Sequence, residues 1–210
     1  MRITRANTKA INYACKYFHY SKSVPAVQYA YNVYNNHDEW CGCILYGGGA
    51  NNNLAKSFNK NAGEVLELER VALNGKQEQT SKAVAISLKQ LHKDNPLCQM
   101  IVSYSDHRQK HIGTIYQATN WIYLGIVHTS DTQYFYNGKW THERTINSKA
   151  NRDYLKSILP KRENSNKFKY IYCFDKDLKE HYKKLALPYP KDKDITACEM
   201  QVSEKTLSKK

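Results

Sequence analysis

The chain has 210 residues, with 32 Lys and Arg against 19 Asp and Glu for a net charge of +13, and 12% aromatic residues including 17 Tyr. That length can bury a real core as one domain, and the composition excludes a disordered acidic chain. No apolar run approaches the ~20 residues of a membrane span, and the basic N-terminus lacks the apolar centre of a signal peptide, so a cytoplasmic protein is expected.

Taken in order, Ile11, Ala14, Cys15 and Phe18 recur at helical spacing and predict a first helix within Ile3 to Tyr17. It runs into His19-Tyr20-Ser21-Lys22-Ser23-Val24-Pro25. Pro25 holds Val24 extended, so this is an ordered turn that presents His19, Tyr20 and Ser21. Gln28 to Tyr34 and Glu39 to Tyr46 read as an antiparallel hairpin across Asn35-Asn36-His37-Asp38. Gly47-Gly48-Gly49, followed by Ala50 and three Asn, has no GK[ST] after it. A Walker A loop is therefore rejected, and a lid or disordered loop is expected.

Glu64 to Leu73 is a strand by composition. Simple alternation puts Leu66, Leu68, Arg70 and Ala72 on one face, and Val65, Glu67, Glu69 and Val71 on the other, so Arg70 points away from Glu67. A glycine-containing turn, Asn74 to Gln79, leads into an amphipathic helix from Ser81 to Lys93 marked by Val84, Leu88 and Leu91. Thr80 or Ser81 suits its N-cap. Cys98 to Tyr104 reads as a buried strand, and a second helix starts near Gly113 with Ile115, Ala118, Thr119 and Ile122 on one face. Strand, helix, strand, helix makes the two strands parallel and opens a cleft at their carboxyl ends, at Asn74 to Ser81 and Tyr104 to His107.

Gly125 to His128 and Thr132 to Tyr136 read as short strands, the latter turning at Asn137-Gly138 into Lys139 to His142. Arg144 to Lys167 is basic and less ordered, with a short helix around Tyr154, Leu155, Ile158 and Leu159. Phe168 to Phe174 is a last strand, Asp177 to Leu185 a basic helix, and Pro188-Tyr189-Pro190 its stop. The expectation is an α/β (α+β) fold: a single domain over 1–190, with a mobile charged tail over 191–210.

Charge is uneven. Residues 1–60 hold 7 basic and 2 acidic side chains, 61–140 hold 8 and 7, and 141–210 hold 17 and 10. A polyanion gripped by the terminal segments is one reading; a solvated basic surface is the other. The six Cys lie at 15, 41, 43, 98, 173 and 198. Only Cys41 and Cys43 are close, which reads as reduced thiols without a zinc site. Asp106, ending a central strand beside His107, is a base or metal ligand, or else caps the following turn. His19 is a base or ligand, or a packed surface residue. Tyr104 and Tyr116 position a substrate or fill the core, and Tyr20 stands with them.

The order of elements resembles the GNAT N-acetyltransferase fold, a mixed sheet whose central parallel pair splays to admit an acyl donor. In that fold a helix N-terminus after a glycine-rich turn binds the donor's pyrophosphate. Here Asn74 to Thr80 lacks the second glycine of that turn, which counts against coenzyme A. A closer resemblance lies in His19-Tyr20-Ser21, Glu67-Leu68-x-Arg70-Val71-Ala72, Ser81-Lys82 and Val102-Ser103-Tyr104-Ser105-Asp106. It continues through Gly113 to Gly125, with Tyr116, Gln117, Asn120, Trp121 and Tyr123, and closes on Lys169-Tyr170-x-Tyr172 and Tyr189-Pro190-Lys191. These words, in this order over roughly residues 15–191, are similar to the Mom family of phage DNA-modification proteins.

What that resemblance implies is an enzyme converting adenine in double-stranded DNA to an N6-(methylcarbamoyl), glycinamide-like derivative that blocks restriction. It implies His19, Tyr20 and Asp106 as catalytic residues; the chemistry itself adds Tyr104 and Tyr116, which with Tyr20 would position the base or stabilise charge. Ser81, Lys82, Asn120 and Trp121 would bind substrate, and Arg144 and Arg152 of the basic segment would grip the DNA. A family association with iron falls on His19, Tyr20 and Asp106, and the donor is an unidentified acyl or glycyl carrier. Adenine N6 is a poor nucleophile, so the reaction needs an activated donor, a base and oxyanion stabilisation. The base must also be flipped from the duplex. A conventional GNAT acetyltransferase on protein or small amines, and a non-catalytic DNA-binding domain, are the competing readings. No helix-turn-helix, zinc-finger or RNP signature supports the last.

Overall fold

A computed structural model of the chain describes residues 1–49, 53–128, 132–163 and 166–191. In chain order the elements are β1 (Arg2–Arg5), α1 (Thr8–Phe18), β2 (Val27–Tyr34), β3 (Trp40–Gly47), β4 (Val65–Leu73), α2 (Thr80–Asp94), β5 (Met100–Asp106) and α3 (Thr114–Gln117). There follow β6 (Ile122–Val127), β7 (Thr132–Tyr136), β8 (Lys139–His142), α4 (Glu143–Asn147), α5 (Arg152–Ile158), β9 (Lys161–Glu163), β10 (Lys167–Cys173) and α6 (Lys176–Lys183). They form two compact units. The first is Met1–Ser105, Gly113–Gly125 and Lys169–Pro190; the second is Asp106–Ile112 and Ile126–Phe168, with Lys191.

The first unit carries a seven-stranded sheet in the order β1-β2-β3-β4-β5-β10-β6. Strands β1 to β4 run antiparallel in sequence, and β4 and β5 are the expected parallel pair. The N-terminus differs from expectation. Arg2–Arg5 is an edge strand with Ile3 opposite Val33, and the first helix starts only at Thr8. Asn7 sets that start by accepting from the Ala10 amide at 2.9 Å. Helix α1 buries Ala14 and Cys15 against Ala30, Cys43, Leu45 and Ala72.

On the other face α2 buries Val84, Ser87, Leu88 and Leu91. A buried hydroxyl without a partner is costly, and here each has one. Ser87 donates to the Val84 carbonyl at 2.8 Å, and its Oγ lies 2.7 Å from the Tyr46 phenol, which therefore donates to it. Asp94 ends the helix, accepting from the Tyr31 phenol at 2.8 Å and from Arg5 Nε at 3.1 Å. A third apolar cluster joins Val65, Met100, Val102, Ile122 and Ile171 beneath Tyr104, Leu178 and Tyr182.

Alternation along β4 is broken. Leu45 faces Arg70 while the next residue, Tyr46, faces Leu68, so Glu69 is the extra residue of a β-bulge. Residues directly opposite share a face. Leu68 thus lies with Tyr46 on the α2 face, whereas Arg70 lies with Leu45 on the α1 face, close enough to Cys15 to oppose part of the rise that burial gives its thiol. The expectation that Leu66, Leu68, Arg70 and Ala72 share one face is corrected by that single residue.

Two further expectations change. Helix α3 is a single turn, because Asn120 adopts a left-handed φ of 58° and ends it; Ile122 then begins β6. Helix α2 is capped at Gln79, not at Thr80 or Ser81, and no side chain bonds there. The second unit is a three-stranded sheet, β8-β7-β9, turning at Asn137 and Gly138 with φ of 50° and 75°. The stretch from Arg144, read as less ordered, holds α4 and α5, whose Ile146 and Leu155 pack under Tyr134. Ala50 to Asn52 of the expected lid, and the tail from residue 192, lie outside the described residues. No helix among those described is long and apolar enough to cross a membrane.

Candidate active site

Pairing between β4 and β5 is confined to Val65↔Met100, Leu66↔Ile101 and Glu67↔Val102. Beyond that point the two strands continue without a shared ladder, so β4 presents backbone amides and carbonyls toward a cleft. One of them is claimed at once. Ser103 donates to the Leu68 carbonyl at 2.9 Å, and its oxygen lies 2.8 Å from the Tyr116 phenol. A carbonyl only accepts, so the Ser103 proton goes to Leu68 and the phenol donates to Ser103.

Two phenols and the Glu67 carboxylate border this cleft, and Glu69 lies under the glycine run. Burial, with smaller contributions from Tyr20 and Glu67, pushes the Tyr116 phenol up to about 12. Burial and then Glu67 push Tyr104 to about 12. Both are therefore protonated donors at neutral pH. Glu69 is itself raised by burial, offset in part by the Gly49 amide, which donates to it at 3.2 Å, and by Arg70. The glycine run explains how these carboxylates are covered. A Cβ on Gly47 would collide with the Ala26 carbonyl and the Glu69 carboxylate, and one on Gly49 would come 3.0 Å from Glu67 Oε2. Arg70 donates to the Glu69 carbonyl at 2.6 Å, while its Nε is buried without a partner.

His19 and Tyr20 follow α1 with their rings 4.3 Å apart. The Ser21 amide donates to His19 Nδ1 at 3.2 Å, and Ser23 donates to Ser21 Oγ, which sits 2.8 Å from the same nitrogen. Nδ1 is therefore an acceptor, and the proton of the neutral ring is on Nε2. At the far end of β4, the first turn of α2 has no side-chain cap and no acidic residue, with Lys82 exposed and Ser81 half-buried within it. Gln77, standing where a second glycine was sought, donates to Thr80 Oγ1 at 2.8 Å and keeps a buried, unpartnered Oε1.

The remaining expected residues divide by role. Asn120 shapes the turn after α3. Trp121 is wholly buried, with its indole N–H unpartnered and its ring 5.0 Å from that of Tyr116, so it reaches a ligand only through the tyrosines it packs on. Asp106 belongs to the second unit, where it caps a 3-10 turn by accepting from the Arg108 amide at 3.0 Å. Arg144 and Arg152 are exposed there, Arg152 3.8 Å from Asp153. No three His, Cys, Asp or Glu gather among the described residues.

The model of the Mom protein family matches residues 1–191. The chain belongs to the Mom protein family. A curated relative, the methylcarbamoylase mom of Escherichia phage Mu, is 35% identical over 85 residues, which is 40% of this chain and 34% of that protein. The match thus spans about a third of the relative's length. Among solved structures, a spermidine N-acetyltransferase SpeG mutant from Vibrio cholerae is 8% identical, covering 86% of this chain and 99% of its own with a TM-score of 0.50. An acetyltransferase of Bacillus subtilis in complex with CoA is 11% identical over 83% of this chain and 99% of its own, at a TM-score of 0.45. This member of the Mom family has a GNAT-like fold, a mixed sheet with the parallel β4–β5 pair and flanking helices.

Within the first unit the structure gathers Tyr104 and Tyr116 at the cleft and brings Tyr20 near Tyr116. Ser103, Glu67 and Glu69 were not among the residues expected in the site. The sequence signal for the carboxylates was a pair of Glu two residues apart within a strand otherwise rich in Val and Leu.

Proposed function

We propose that this chain transfers a methylcarbamoyl, glycinamide-like group to N6 of adenine in duplex DNA, and that the splayed cleft is where it does so. The observation that carries the reading is the end of pairing at Glu67↔Val102, beside which a carboxylate and two protonated phenols stand. Membership of the Mom family supports the substrate. A donor carrier with phosphate groups lies along the open first turn of α2, where Lys76 and Lys82 meet its charge.

In this scheme the N6 lone pair attacks the donor's electrophilic carbon, and a nitrogen–carbon bond forms. Glu67 accepts the N6 proton. The bond from carbon to the leaving group breaks with its electron pair on the leaving group, which takes a proton from Tyr104 or Tyr116. Backbone amides of β4 beyond Glu67 stabilise negative charge that develops on the donor. The adenine has to leave the duplex for this, at a cost of a few kcal/mol.

Nucleosides from the DNA of cells expressing the protein, analysed by mass spectrometry, test the proposal. A modified deoxyadenosine is expected, and it should be absent with Glu67→Gln. Unmodified DNA together with acetylation of a protein or polyamine would replace this reading with a conventional acetyltransferase.

A further inference from the structure

The second unit has one face that nothing in the chemistry above uses. In its sheet Phe135 is directly opposite Trp140, Gln133 opposite His142, and Gln133 opposite Arg162 on the other side. These five side chains share the face away from Tyr134, which packs with Ile146 and Leu155. Phe135 and Trp140 remain 41% and 38% exposed, unusual for large aromatics meeting edge to face at 5.5 Å. The Arg162 guanidinium lies 4.1 Å above the Trp140 ring, and Gln133 orients it by accepting from its Nε at 2.9 Å.

We infer that this face, Phe135, Trp140 and Arg162 with Arg108 beside them, is a DNA-binding surface that stacks on an unpaired nucleobase and holds the flanking phosphates. The inference rests on the DNA reading above and adds where the duplex is held. Three observations favour DNA over another occupant. First, aromatic rings offered with a guanidinium stacked on them suit a base, since every base has a π face and attracts that pair whatever its sequence. Second, Arg108 stands close enough to lower the pKa of Arg162, after burial, with Asp106 only partly opposing it. Two neighbouring guanidiniums repel until an anion joins them, and phosphate takes them in pairs. Third, Thr132 to Glu163 carry seven basic residues against three acidic, so the surroundings complement a polyanion.

Fluorescence anisotropy of the full chain with two labelled duplexes, one fully paired and one with a single bulged adenine, tests this. Wild type should prefer the bulged duplex. Trp140→Ala and Phe135→Ala should each weaken it by about tenfold and erase the preference. Arg162→Gln should weaken both duplexes alike and flatten the salt dependence. To make the outcome independent of whether variants fold, wild-type protein is photocrosslinked to a duplex carrying 5-iodouracil beside the bulge. Attachment should map to Phe135 or Trp140, and attachment confined to other segments overturns the inference. Variants that bind like wild type while DNA is still modified also overturn it and leave the proposed activity standing. Polyglutamate competing as well as DNA, with no effect of Trp140→Ala, overturns it in favour of simple charge. A wild type that neither binds nor modifies DNA removes both.

Discussion

Ser103 donates to the carbonyl of Leu68 at 2.9 Å, one residue beyond the last paired step between β4 and β5. The two strands separate there, and one hydroxyl bridges the opening and receives the Tyr116 phenol. Ser103→Ala leaves a buried carbonyl and a buried phenol without partners, so it should cost about 1–3 kcal/mol. Urea denaturation measures this, and an unchanged midpoint would show that water replaces the hydroxyl.

Tyr116→Phe separates the fold from the chemistry. Ser103 can still bond Leu68, so the stability loss should stay near ~1 kcal/mol. The transfer rate should fall about tenfold to a hundredfold, as for loss of one positioned acid. A rate within twofold of wild type would remove the phenol from the mechanism.

Much of this cleft is legible in the sequence, and what is not has definite causes. Strand, helix and strand from β4 to β5 follow from Val84, Leu88 and Leu91 at helical spacing between two apolar runs. The bulge at Glu69 leaves no mark, since no glycine or proline accompanies it, and one inserted residue silently moves Arg70 to the α1 face. Edge strand β1 has four residues, two of them Arg, too few for alternation to register. Helices α4 and α5 hang on Ile146 and Leu155, with charged residues all around, so their composition looks like a loop. The part of Asp106 in the turn it caps is one of the two roles its sequence position leaves open.

Glu69 gives a pH signature. Burial raises its folded-state pKa above the ordinary glutamate value, so the folded chain holds this proton more tightly than the unfolded one. Its contribution is favourable below the unfolded pKa and is lost as pH rises through the raised folded value. Glu69→Gln should therefore be more stable than wild type near pH 7, with the gap closing as pH falls toward 4. Thermal melts across that range decide it, and a gap that widens on acidification would mean that Gly49 and Arg70 outweigh burial.

Asp106 can be probed without disturbing its turn. Asn accepts from the Arg108 amide as Asp does, so Asp106→Asn should keep the fold. If the carboxylate only caps, modification of DNA continues at near the wild-type rate. A loss of about a hundredfold with a native circular dichroism spectrum would return Asp106 to the chemistry.

Neutralising Arg144, Lys149 and Arg152 together should reduce the salt dependence of DNA binding by roughly one unit of slope for each phosphate no longer neutralised. Adding Lys156 should change little more, because it already pairs with Glu143 at 2.7 Å. Titration of affinity against salt measures both. A slope unchanged by the triple variant would assign the phosphate-binding cations elsewhere.

The chain after α6 has a use of its own. Leu187 donates to the Tyr123 carbonyl of β6 at 3.0 Å, and the Tyr189 phenol donates to the Trp121 carbonyl just before that strand at 2.6 Å. The last strand of the seven is thus covered at its start, while the first is four residues long and guarded by Arg2 and Arg5. A sheet covered at one rim and charged at the other offers a neighbouring chain less to zip onto. A chain cut before Leu187 should therefore precipitate long before it unfolds.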